Sequence, residues 1–94
     1  MQVRWLRKAL RSLDEEAAYM ATDDPGAARK IVDGVLHAVA MLADQPGLGH
    51  PGRLPGTREL IVSRTRYLAP YRVRGDIVEV LRVFHSSRPG QDKW

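Results

Sequence analysis

Residues 56–88 read GTRELIVSRTRYLAPYRVRGDIVEVLRVFHSSR, and this stretch decides the fold. It holds three short runs of β-forming residues separated by turn signals. Thr57–Val62 rises into Leu60-Ile61-Val62, and the polar Ser63–Arg66 turns the chain. Tyr67–Val73 alternates Tyr67, Ala69, Tyr71 and Val73 against Leu68, Pro70 and Arg72, the period of a strand. Arg74-Gly75-Asp76 is a hairpin turn, where glycine takes a positive φ at little cost. Ile77–His85 is the longest apolar run and is expected to form one continuous strand. Pro70 has no N–H to give to a ladder, so its strand needs a bulge there or an unpaired side.

Upstream the period changes. Gln2–Trp5 suits a first strand, with Val3 and Trp5 alternating against Gln2 and Arg4. Leu6, Leu10, Leu13, Ala17 and Met20 then form one stripe of an amphipathic helix that runs to Ala21. Arg7, Lys8, Arg11, Asp14 and Glu15 fall on its other side. Thr22-Asp23-Asp24-Pro25-Gly26 stops that helix and starts another. Asp24 can accept a backbone N–H as a cap, and Pro25 fits the first turn, where no donor is needed. Ile31, Val35, Leu36, Val39 and Leu42 keep the helical spacing until Gln45-Pro46-Gly47 ends it. So short a link implies an antiparallel helical hairpin, whose apolar side needs a sheet to cover it. Residues 46–56, with four glycines and three prolines, are expected to form a loop without regular structure.

The fold class is therefore α+β, in the order β-α-α-β-β-β. A helical hairpin packs on one face of a small, mainly antiparallel twisted sheet. The 94 residues suit one domain spanning 1–94. Cysteine is absent, which excludes a disulfide frame and a thiolate metal site. The first residues carry charge throughout with no apolar core of signal-peptide length, and no run approaches a membrane span. The expectation is a soluble, cytoplasmic protein that engages no membrane. Residues 1–51 hold six Lys/Arg against seven Asp/Glu, whereas residues 52–94 hold nine against four. The sheet half thus carries a positive field suited to phosphates or an acidic partner. The last strand has apolar residues on both faces, and a helical hairpin covers only one. Val78, Val80 and Phe84, with Trp94 beyond them, are the expected partner-binding surface. A sheet curved over itself is the alternative cover.

Asp24-Pro25-Gly26-Ala27-Ala28, Gly56-Thr57-Arg58-Glu59-Leu60, Tyr67, Tyr71-Arg72-Val73, Gly75-Asp76 and His85 with Arg88 come in one order and spacing. In that arrangement the chain resembles the RelE/ParE superfamily of toxins from type II toxin–antitoxin systems, over nearly its whole length. The resemblance implies a cognate antitoxin as partner and one of two activities. ParE-like members poison DNA gyrase without nuclease chemistry of their own. RelE-like members are endoribonucleases that cut mRNA on the ribosome.

Cleavage through the 2′-OH needs a base, an acid and cations for the phosphorane. In RelE-like nucleases an arginine usually follows the aromatic residue of the middle strand; here Leu68 follows Tyr67. Ahead of the sheet stand Arg53 and Arg58 but no lysine. His85 can shuttle protons near neutral pH, and Arg88 can hold a phosphate. If the chain is a ribonuclease, His85, Arg88 and Arg72 are its catalytic set. Otherwise Arg72, Arg82, His85 and Arg88 are target-binding residues, and none is catalytic. Tyr67 and Tyr71 read as core residues. His37, His50 and His85 lie on helix, loop and strand with no metal-ligand spacing, so neither a metal nor a cofactor is expected. The ParE-like reading leads, and the alternatives are a RelE-like nuclease and an inactive toxin-derived binding module.

Overall fold

The computed structural model describes residues 1–87, so Arg88 and Trp94 lie outside the described residues. Its elements follow the period changes of the sequence: β1 (Gln2–Trp5), α1 (Arg7–Ala21), α2 (Pro25–Ala40), then a single 3-10 turn at Met41–Ala43. After a long loop come β2 (His50–Pro51), β3 (Arg58–Ile61), β4 (Tyr67–Arg74), β5 (Ile77–Val80) and β6 (Phe84–His85). The cap at the second helix is the expected one: the Asp24 carboxylate accepts the Ala27 N–H at 3.0 Å, with Pro25 in the first turn.

The strands lie in the order β1-β5-β4-β3-β2, with β6 also beside β4. All pairs are antiparallel except β1 with β5, which run parallel and put Val3 opposite Val78. The helical hairpin covers one face. Ala9 and Leu13 of α1 and Val35 and Val39 of α2 meet Leu60, Ala69, Tyr71, Val78 and Val80 in one buried cluster.

The last strand is not continuous, and Pro70 accounts for the break. Tyr71 stands opposite Val80, and Leu68 opposite Phe84, so residues 81–83 face only residues 69–70. One extra residue on one strand is a β-bulge. In a ladder the N–H and C=O of a residue point to the same neighbouring strand. The Pro70 carbonyl accepts from the Leu81 N–H at 2.8 Å, so its missing donor faces the bulge. Ser12 of α1 takes up the Val83 N–H at 2.9 Å, while its own hydroxyl donates to the Ala9 carbonyl.

A bulge reverses the faces beyond it. Val83 turns into the core beneath the helices, and Phe84 turns to the other face with Leu68, its register partner. That second face is covered from within the chain, where the Arg53 guanidinium lies 5.3 Å from the Phe84 ring centre.

The Gly/Pro-rich loop is likewise more ordered than expected. Its segment β2 pairs with β3, and the buried Tyr71 hydroxyl ties it down by donating to the Pro46 carbonyl at 2.7 Å and accepting the Gly49 N–H at 2.8 Å. Arg58 donates to the Gly49 carbonyl at 2.6 Å. Gly49 is required there, because a Cβ would lie 2.7 Å from the Tyr71 ring and 2.9 Å from the Glu59 carbonyl oxygen.

Candidate functional site

On the sheet face away from the helices, the parallel β1–β5 register and the antiparallel β4–β5 register align Arg4, Glu79 and Arg72 in one cross-strand row. Arg72 Nε donates to Glu79 Oε1 at 2.7 Å, and Arg74 Nη1 lies 3.8 Å from the same oxygen. The hydrogen bond from Arg72, reinforced by the charges of Arg72, Arg74 and Arg4, holds the Glu79 carboxyl below the ordinary carboxylate range. Three arginines around one carboxylate leave this part of the sheet positive.

Beside this row opens a cleft of about 800 Å³. Its walls are the first turn of α1, the loop residues 54–57, and the strand residues around Arg72 and Leu81. Arg7, Lys8, Arg72, Arg74 and Arg82 line it, and no acidic side chain does among the described residues. Helix α1 starts at Leu6 without a side-chain cap and has no acidic residue in its first turn, so its positive end adds to the field. Arg82 sits in the bulge, where its Nε is buried without a hydrogen-bond partner among the described residues. Among the described residues no carboxylate, imidazole or phenol lines the cleft. It can hold an anion, but it offers no such group to move a proton.

The expected target-binding residues do not form one surface. Arg72 and Arg82 share the cleft, joined by Arg7, Lys8 and Arg74, which sequence reasoning left out. The signal for the first two was a helix start with cations where acids usually stand. His85 lies elsewhere. It pairs with Tyr67, five residues along β4 from Arg72, or about 17 Å at the rise of a strand. Its ring meets the Tyr67 ring edge-on at 5.1 Å, and its Nδ1 accepts the Ser87 N–H at 3.2 Å. His85 and Arg72 therefore stand well apart along the sheet.

The expected partner surface needs correction. Val78 and Val80 are fully buried beneath the helices and Phe84 is 3% exposed, so none presents a face to a second protein in this fold. The strand alternation assumed for them breaks at the bulge. Apolar surface lies instead beside β3, where Met41, Leu48 and Ile61 are 40%, 45% and 57% exposed around a groove of about 330 Å³. Strand β2 covers β3 only at Arg58 and Glu59, leaving Leu60 and Ile61 without a neighbouring strand on that side among the described residues.

Among the described residues, no three His, Asp or Glu side chains come close enough to hold a metal ion. No helix there is long and apolar enough to cross a membrane.

Comparison with known proteins agrees with this architecture. A protein of Sinorhizobium fredii named as a toxin, Y4kP, is 46% identical over 85 residues, which is 90% of this chain and 88% of the relative. A solved chain described as the chromosomal ParDE toxin–antitoxin system of P. aeruginosa superposes with a TM-score of 0.82 at 32% identity, covering 90% of this chain and 95% of that one. The RelBE2 toxin–antitoxin complex of Mycobacterium tuberculosis matches with a TM-score of 0.66 at 27% identity, covering 89% and 95%. The family model described as ParE toxin of the type II toxin–antitoxin system parDE matches residues 3–90. This chain belongs to that ParE family of toxins, within the RelE/ParE superfamily.

Proposed function

We propose that this chain arrests growth by poisoning DNA gyrase, acting through its cationic cleft rather than through nuclease chemistry. The observation that carries this reading is the separation of the groups a nuclease would need together. His85 is held against Tyr67 and Ser87, far along β4 from Arg72, and the cleft that gathers the cations contains no such proton-transfer group among the described residues. Leu68, at the position where RelE-like nucleases usually carry an arginine, is 9% exposed and packs opposite Phe84. Arg53 and Arg58, the two cations ahead of the sheet, hold the loop in place: the first binds Glu59 and covers Phe84, and the second bonds the Gly49 carbonyl. Arg72 and Arg82 are then target contacts, and His85 closes the sheet.

A cognate antitoxin is the proposed silencing partner, as in the ParDE and RelBE2 systems that this chain is similar to. The exposed Met41, Leu48 and Ile61 beside the open side of β3 suit an added antitoxin segment, whose backbone pairs with the strand while its apolar side chains fill the groove.

Induced expression of wild type and His85→Ala in cells lacking the antitoxin tests the reading. His85→Ala should still arrest growth and produce DNA breaks, with bulk mRNA intact. Loss of arrest in a variant that folds and binds antitoxin normally would favour the RelE-like nuclease instead.

A further inference from the structure

We infer that the cleft beside α1 binds the phosphodiester backbone of duplex DNA, so that this toxin grips nucleic acid directly. The inference rests on the gyrase reading for its setting, since gyrase works on duplex DNA, but its chemistry stands on the cleft alone. Arg7, Lys8, Arg72, Arg74 and Arg82 converge there, with no lining carboxylate among the described residues. Among the described residues the buried Arg82 Nε has no acceptor, which is a cost unless one is supplied.

The kind of donor present selects the ligand. Apart from the Thr57 hydroxyl, every polar side chain among the described lining residues can only donate hydrogen bonds. A peptide carries N–H groups that need acceptors, whereas a phosphodiester carries acceptors only. The Thr57 hydroxyl already donates to the Leu54 carbonyl at 2.7 Å. Among the described residues the lining also contains no aromatic ring. Unpaired bases are usually held by stacking on aromatic side chains, so a single strand would find no platform here. A duplex keeps its bases stacked and presents phosphates alone, which matches a wall of guanidinium and ammonium groups.

The test is fluorescence anisotropy of the purified, antitoxin-free toxin with a labelled duplex of about 20 base pairs. Parallel titrations use single-stranded RNA of equal length and an acidic peptide. Saturable binding should appear at about 50 mM salt and weaken with a log–log slope of about −4 as salt rises. The Arg7→Glu/Lys8→Glu variant should lower affinity more than about tenfold and reduce the magnitude of the slope by about 2. Both positions are exposed, and acids in the first turn of a helix favour it, so lost binding there would not reflect unfolding. Arg82→Gln should also weaken binding. Arg29→Glu/Lys30→Glu, exposed on α2, should change affinity less than about twofold.

The inference is overturned by failure to bind the duplex, by tighter binding of the RNA or the acidic peptide, or by equal losses from the α1 and α2 variants. Duplex binding without an effect on gyrase would sustain this inference and sink the gyrase reading. Gyrase inhibition without duplex binding would do the opposite.

Discussion

At the scale of residues, a few polar side chains bear more of the structure than their types suggest. Tyr71 reads from sequence as core, and its ring is fully buried, but its hydroxyl holds a loop from 25 residues upstream. That second role was not legible, because its partners are a carbonyl and an N–H distant in the chain. Tyr71→Phe should cost roughly 1–3 kcal/mol in chemical denaturation, since it strands the partners at Pro46 and Gly49. Glu79 sets a pH dependence. Its carboxyl is held below the ordinary range by Arg72, so the unfolded chain binds its proton at higher pH than the folded one does. The ion pair therefore stabilises fully above the ordinary carboxylate pKa, and its contribution fades as pH falls through the lowered value. The difference in Tm between wild type and Glu79→Gln should be largest near neutral pH and shrink as pH falls below the ordinary carboxylate pKa and through the lowered one. A gap that widened on acidification would contradict the assignment.

At the scale of elements, periodicity and punctuation were sufficient for both helices, the helical hairpin and the placement of β3 and β4 to within a residue at their ends. Asp24, Pro25 and Gly75 act locally, so their roles could be read without tertiary information. Pro70 pointed to a bulge or an unpaired side, but the consequence was not legible. One extra residue between Val80 and Phe84 moves Val83 inward and Phe84 outward, and the register that decides this is set on a neighbouring strand. The same displacement parts Phe84 from Val78 and Val80, which face the helices ahead of the bulge. Ser12 completes the device by accepting the Val83 N–H that the bulge leaves outside the ladder. Ser12→Ala should destabilise by roughly 1–3 kcal/mol in denaturant titration, more than an alanine substitution at an exposed polar position of the same helix would.

At the scale of the whole molecule, the charge asymmetry between chain halves was legible, but the cleft that uses it was not. It joins the first turn of α1 to arginines more than sixty residues later, and only the parallel β1–β5 register brings them together. The fold thus presents two different surfaces: a cationic cleft proposed for the target, and an apolar groove beside β3 proposed for the antitoxin. Ile61→Asp should weaken antitoxin binding more than about tenfold by calorimetry with little change in Tm, because Ile61 is exposed and its charge would be buried only in the complex. Arg7→Glu/Lys8→Glu should leave antitoxin binding at the groove intact. The most direct test of the central claim is a gyrase cleavage assay on supercoiled plasmid with purified, antitoxin-free protein, run beside a ribosome-programmed mRNA assay. Linear DNA should accumulate in a gyrase-dependent manner with wild type and with His85→Ala, fall sharply with Arg7→Glu/Lys8→Glu, and leave the message intact. Undisturbed gyrase together with message cut by wild type but not by His85→Ala would contradict the account.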